Sequence, residues 1–305
     1  MPFHVTKVKI MKLYAPKYYK KFICIADKCD HSCCIGWEID IDETTLDKYQ
    51  KLNNSYASII KESISWEETP HFKLCGHDRC PHLDENGLCK IILNVGEGYL
   101  CDICREHPRF YNYTDVAEIG LGMSCREAAR IILASQNYNV MDEIGEVSVN
   151  DEMVGFNGRL ERAKVYQILQ NKEFDYKTKI KMINREYKIE TRDDDFWLKI
   201  IDSLEYLDSS HKALFMNYSA EKRPFGVDKY LERALAYLIY RHCTEAFDIE
   251  DFTHRLWFCL FCERLLASLI YTQCAKSLQE ISVLASIISE EIEYSEENTQ
   301  ALMYC

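Results

Sequence analysis

Ten of the fifteen cysteines in this 305-residue chain lie between Cys24 and Cys125, and residues 126–242 contain none. The spacing is Cys24-x4-Cys29-x3-Cys33-Cys34, then Cys75-x4-Cys80-Pro-His-Leu-x5-Cys89-x11-Cys101-x2-Cys104-x2-His107-Pro, and finally Cys125. Adjacent thiols such as Cys33-Cys34 can hardly bond to each other without strain. The N-terminus has basic residues but no apolar core and no small-residue cleavage site, so it does not read as a secretory signal. The expectation is a cytoplasmic chain with reduced thiols, in which fifteen cysteines are not a disulfide framework. What remains is a metal centre that draws thiolates from separate loops. Such a centre orders irregular chain because its binding energy becomes folding energy.

The surroundings of the thiols separate them into two kinds. "KCDHSCC" and "GLCK" are polar and offer a small hydrophobe no core to fill, so the N-terminal group reads as metal-binding. Cys259 and Cys262, in "LWFCLFCERLL", sit three apart on an apolar helix and read as core filler, as do Cys243, Cys274 and Cys305. Ten thiols exceed one tetrahedral zinc site and suit an iron–sulfur cluster with spare thiols, or two metal centres. His77, His82 and His107 could complete mixed sites, although each alone reads more simply as a loop or supporting histidine. The Cys-x3-Cys-x2-Cys triplet of radical chemistry is absent, because Glu97 stands four residues before Cys101.

Charge excludes other classes. The net charge is −12, with 17 Lys+Arg against 19 Asp+Glu in residues 1–140 and 20 against 30 in residues 141–305. Six lysines and no acid in the first 21 residues form a short basic arm, not a stripe. An acidic chain without a basic stripe is a poor nucleic-acid binder. No apolar run reaches membrane-spanning length uninterrupted, so no membrane partner is expected.

The organisation expected is mainly α. Residues 1–136 form an irregular, cysteine-rich metal-binding unit with short strands, 137–158 a polar connector, and 159–305 a helical bundle. "GWEIDID" alternates like a strand and "ETTLDKYQKLNNSYASIIKESI" reads as a helix. Leu160, Val165, Ile168 and Leu169 share one helical face, and the acids of "DDDFWLKIIDSLEYL" suit a helix N-terminus. "VDKYLERALAYLIYRHC" and "FTHRLWFCLFCERLLASLIYTQC" are long helices free of Pro and Gly.

The stretches "FICIADKCDHSCCIGWEIDID", "CPHLDENGLCKI", "LCDICREHPRF" and "SCREAARIIL" resemble the flagellin lysine-N-methylase family, whose cysteine signature is shared with small metal-chelating domains. "YLERALAYLIYRHC" and "EIEYSEEN" match more weakly. The resemblance implies transfer of methyl groups from S-adenosylmethionine to lysine side chains of flagellin, by a protein that binds an iron–sulfur cluster of the 4Fe–4S type, with zinc as the alternative. Carried across, the metal ligands are Cys24, Cys29, Cys33, Cys34, Cys80, Cys89, Cys101, Cys104 and Cys125, and Cys75 fits less well. "GLGMSC", before a helix, is only a weak nucleotide-loop signal.

Methyl transfer requires a lysine that has lost its proton and lies in line with the donor. Tyr237, Tyr240 and Tyr271 offer cation–π faces but read first as bundle packing. Glu293 and Glu297 could bind a substrate amine but read first as a solvated helix face. Two other classes stay open: a non-catalytic zinc- or cluster-binding sensor module, and an electron-transfer protein docking through its acidic bundle. The sequence assigns neither a catalytic residue nor an oligomeric state.

Overall fold

The computed structural model describes residues 8–67, 69–150 and 157–305, and divides the chain into two compact units. One is Ile23–Pro108; the other joins Met1–Phe22 to Arg109–Cys305. The boundary therefore falls elsewhere than the expected 136/159 division. The first strand belongs to the helical unit, and Cys125 lies in that unit and not with the other N-terminal thiols. The protein is mainly α, as expected.

In chain order the elements are β1 (Val8–Pro16), α1 (Glu43–Lys51), α2 (Ala57–Glu62), β2 (Ile64–Ser65), β3 (His71–Phe72), α3 (Lys90–Val95) and α4 (Asp102–Glu106). There follow β4 (Arg109–Tyr113), β5 (Ala117–Leu121), α5 (Arg126–Ala134), β6 (Met141–Asn150), α6 (Gly158–Gln170) and α7 (Tyr176–Glu186). The chain continues through α8 (Asp194–Ser203), α9 (Ser209–Phe215), α10 (Asp228–His242), α11 (Ile249–Thr272), α12 (Leu278–Ile288) and α13 (Glu296–Met303). A π-helical turn, Ser289–Glu293, joins the last two.

In the larger unit the sheet order is β4-β5-β1-β6, with β1 parallel to β5 and antiparallel to β6. Ten residues of the segment expected to be a connector, Met141–Asn150, thus form a strand; residues 151–156 lie outside the described residues. β6 pairs along the whole of β1, with a register shift between Leu13 and Tyr14. That irregularity breaks the period-two pattern that announces a strand.

Helix α11 is buried almost all round, as an apolar helix in a core must be. Trp197 of α8 stacks on its Phe261 at 4.0 Å. Asp193, Asp248 and Ser277 cap α8, α11 and α12 by accepting backbone N–H groups that the helices cannot satisfy themselves. On α6 the buried positions are Gly158, Arg162, Val165 and Leu169, whereas Leu160 is exposed. Arg162 takes the expected place of Leu160 because both oxygens of buried Glu118 accept from its guanidinium at 2.7 Å. Two glycines permit close approach: a Cβ on Gly120 would lie 2.3 Å from Phe110, and one on Gly158 would lie 2.4 Å from the Cys243 carbonyl.

Ile23–Pro108 is built from short pieces. The helix expected over 43–64 is two, because Asn54 turns the chain by accepting the Tyr56 N–H. "GWEIDID" keeps its alternation, with Ile39 and Ile41 buried and Glu38 and Asp40 exposed, but forms only one isolated bridge, Asp40 with His71. Its core cluster holds eleven buried residues, Cys80 and Cys101 among them, with Cys34, Cys89 and Cys104 packed against it. Among the described residues no helix is long and apolar enough to cross a membrane.

Candidate functional site

Six of the nine expected ligands, Cys33, Cys34, Cys80, Cys89, Cys101 and Cys104, lie within electrostatic reach of at least one other in Ile23–Pro108. The Cys80 N–H donates to the Cys34 carbonyl at 2.9 Å, sewing the adjacent pair Cys33-Cys34 to the second group of thiols. An antiparallel bridge joins Leu83 to Cys89, and the Lys90 N–H donates to the His82 carbonyl. Asp42 fixes the last group: it caps α1 through the Thr45 N–H and also accepts the Asp102 N–H at 2.9 Å, which places Cys101. Burial disfavours that carboxylate, but Thr44 and the two backbone donors outweigh burial and hold it below the usual carboxylate range.

The thiols act on one another. The neighbouring Cys104 holds the Cys101 thiol below its ordinary value, and Cys101 in turn pushes Cys104 up. The Tyr49 hydroxyl lies 3.6 Å from the Cys101 sulfur and donates to the Tyr99 carbonyl at 2.7 Å. Burial pushes Cys80 up to about 11 and raises Cys89. Cys80 is within electrostatic reach of Cys89 and Cys101, Cys104 of Cys34 and Cys80, and Cys89 of Cys101 and Cys33. Among the described residues, no three His, Cys, Asp or Glu side chains are grouped so as to hold a metal ion. The donor set itself, soft sulfurs around a small core, has the chemistry of a zinc or iron–sulfur site.

Cys24 lies exposed and Cys29 half-buried in the same unit, and Cys75 is exposed, pairing with Arg79 through its backbone. Cys125 stands at the residue before α5 in the other unit, without a side-chain capping bond. His82 is buried with both ring nitrogens engaged, Nδ1 with the Tyr56 hydroxyl and Nε2 with the Ser63 hydroxyl, each at 2.9 Å. The Ser63 hydroxyl donates to the Ile60 carbonyl, so it accepts from Nε2–H, and Nδ1 accepts from Tyr56. His82 is thus a core histidine and not a ligand. Burial lowers it to about 4. His77 is exposed.

Among the remaining thiols, Cys243, Cys259 and Cys262 are core filler as expected. Cys274 and Cys305 are exposed, contrary to expectation, because each follows the end of its helix.

The helical unit carries a cleft of about 380 Å³ between β4, the end of α10 and α13. Its floor holds Glu293, which was expected on a solvated face. The π-helical turn instead directs it inward, and its side chain is fully buried. Its carboxylate accepts from the Tyr237 hydroxyl at 3.0 Å and lies 2.7 Å from His242 Nε2 and 3.4 Å from Arg241 Nε. Burial disfavours the charge, yet Arg241 and then His242 outweigh it and hold Glu293 below its usual value. Burial keeps His242 neutral, its pKa below the ordinary value. Glu297 is exposed, as is Tyr271, while Tyr240 is buried and donates to the Ile119 carbonyl. A spacing-based reading missed this dyad because it needs a non-α turn. The signal available was "EEIEYSEEN", acid-rich directly after an apolar helix.

Over 146 residues, 45% of its length, the chain is 27% identical to a lysine-N-methylase of Salmonella typhimurium and to another of Salmonella choleraesuis. It is also 27% identical over 146 residues to the flagellar biosynthetic protein FliU of Salmonella muenchen. The resemblance read from the cysteine motifs is real. The matched region spans 36% of each lysine-N-methylase and 85% of FliU. No family model matches the chain, and no solved structure does.

Proposed function

We propose that this chain is an S-adenosylmethionine-dependent lysine N-methyltransferase acting on flagellin, and that the thiols of Ile23–Pro108 hold a metal centre, most simply an iron–sulfur cluster. The observation that carries the reading is the likeness over 146 residues to proteins named lysine-N-methylase, together with FliU as a flagellar relative. The gathering of Cys33, Cys34, Cys80, Cys89, Cys101 and Cys104 supports the metal. Cys101 and Cys104 would be the innermost ligands, with Cys80, Cys89 and Cys34 beside them and Tyr49 bonding a ligand sulfur. A cluster there supplies soft iron coordination and, with it, order for a unit whose apolar core is small.

The chain's own task is to bind the lysine, strip its proton and align it with the methyl donor. The test is to purify the protein without oxygen, add S-adenosylmethionine and flagellin, and weigh the flagellin. Mass increments of one methyl on lysine-bearing peptides are expected. Metal-bearing protein that leaves flagellin unmodified would overturn the enzyme reading in favour of a binding module.

A further inference from the structure

The cleft of the helical unit combines features that methyl transfer to lysine needs. Both its cations are already neutralised: Arg241 faces Glu293, and Arg255 is tied to Asp251 at 2.8 Å and to the His242 carbonyl. Two exposed rim carboxylates, Glu245 and Glu296, form no ion pair within 4 Å among the described residues, although Glu245 is within electrostatic reach of Arg255; Glu245 accepts the Tyr113 N–H. With Glu245, Glu293 and Glu296 against Arg241 and Arg255, the lining carries a net negative charge that favours a cationic ligand. Tyr304 adds an aromatic face to its walls, which suits an alkyl stem bearing an ammonium head, whereas the Phe110 ring already carries the Arg241 guanidinium at 5.1 Å. Its volume is at the small end for ligand pockets.

At the floor, the Arg241–Glu293 pair balances its own charge, so the neighbouring imidazole has no reason to be protonated. A neutral His242 donates Nε2–H to Glu293 and carries its lone pair on Nδ1, which makes no hydrogen bond among the described residues. The carboxylate fixes the ring and its tautomer and stabilises the imidazolium once a proton arrives. The groups facing His242 are Arg241 on its own helix, Arg255 on α11, Glu293 on the π turn and the rim acids Glu245 and Glu296.

The geometry points to this cleft as the binding site for a primary alkylammonium, the lysine side chain, with His242 Nδ1 as the base that takes its proton. An N–H bond of the ammonium breaks, the proton goes to Nδ1, and the electron pair stays on nitrogen. That pair then attacks the methyl carbon of the sulfonium donor, and the sulfur–carbon bonding pair leaves with sulfur. The proton passes from His242 to water. The catalytic half of the inference rests on the methyltransferase reading; the binding half does not.

Two arms test it. In the first, wild-type protein with nitrogen-labelled histidine is titrated with n-butylamine and with n-butanol at pH 7. The inference expects the amine to bind at least tenfold more tightly and to shift the His242 ring resonances. Equal affinity, or shifts confined to other histidines, would overturn the site. In the second, His242→Gln should slow methylation about 10²–10⁴-fold at pH 7 and recover near pH 10, where the lysine is deprotonated without help. A variant with wild-type rate at pH 7, or a loss that persists at pH 10, would overturn the base. If the wild type transfers no methyl group, the methyltransferase reading and its base fall together, and the titration alone decides the site.

Discussion

Both units bury cysteines, but in different surroundings. In the helical unit, Cys243 and Cys259 face each other at 3.8 Å, with Cys262 beside them, and burial raises the Cys259 and Cys262 thiols far above their usual values. These sulfurs fill space among large apolar residues in a deep core. In Ile23–Pro108 the neighbouring Cys104 holds the Cys101 thiol below its ordinary value while Cys104 itself is pushed up, and the polar Tyr49 hydroxyl lies 3.6 Å from the Cys101 sulfur. There the core is eleven residues, too little apolar surface to order so much irregular chain comfortably. A buried thiol thus becomes a candidate ligand through its polar neighbours and the poverty of the core around it, not through burial.

The comparison breaks most visibly if both kinds of thiol matter equally. Cys101→Ala/Cys104→Ala should abolish amide-exchange protection across Ile23–Pro108 while α10 and α11 keep theirs. The loss should exceed the ~2–5 kcal/mol of an ordinary core truncation, since structural metal centres contribute on the order of 10 kcal/mol. A uniform loss of protection in both units would refute the division of roles.

Glu293→Ala should cost the helical unit about 3–5 kcal/mol, because Arg241 would keep a buried charge without its partner. Urea unfolding measures this, and a cost under about 1 kcal/mol would mean the network is idle.

Acidification acts on both units through their neutral histidines. His82 and His242 have folded pKa values below the ordinary 6.5, so below that pH the unfolded chain gains protons that the folded chain refuses. Stability should fall from about pH 6.5 downward, for His82 until about pH 4, by at most ~1.4 kcal/mol per pH unit for each group. The depressed Glu293 adds a loss in the same direction at lower pH, below its unfolded value of about 4.3. Melting temperatures that stay level from pH 7 to pH 5 would contradict the neutral assignment of both rings. The smallest effects are Cys259→Ala, about 1 kcal/mol of lost packing, and Cys274→Ser on the exposed surface, within ~0.5 kcal/mol. A reversed order would upset the contrast between filler and surface thiols.

Much of this was legible in residue patterns. The long apolar helices α10 and α11 and the acid-capped α8 follow directly from periodicity and capping chemistry, and the grouping of Cys80, Cys89, Cys101 and Cys104 follows from short spacing in polar chain. Three features were not legible. β6 hides behind an irregular register and acidic residues that resemble a loop. Arg162 occupies a core position because Glu118, 44 residues earlier, receives it, and a local pattern contains no such partner. Glu293 points inward because Ser289–Glu293 winds as a π turn, while α-helical spacing places it on the surface with Glu297. Each miss is a long-range pairing or a departure from regular geometry, which local periodicity cannot encode. Cys125 is the remaining lesson: sequence proximity assigned it to the thiol group, and the fold assigns it to the helical unit.

The most direct measurement is the iron, zinc and acid-labile sulfide content of anaerobically purified protein, taken beside the Cys101→Ala/Cys104→Ala variant. The account predicts iron with sulfide in the wild type, or zinc without sulfide if the centre is the simpler one, and loss of metal together with order in Ile23–Pro108 in the variant. Wild-type protein free of metal yet fully protected from exchange in that unit would contradict it.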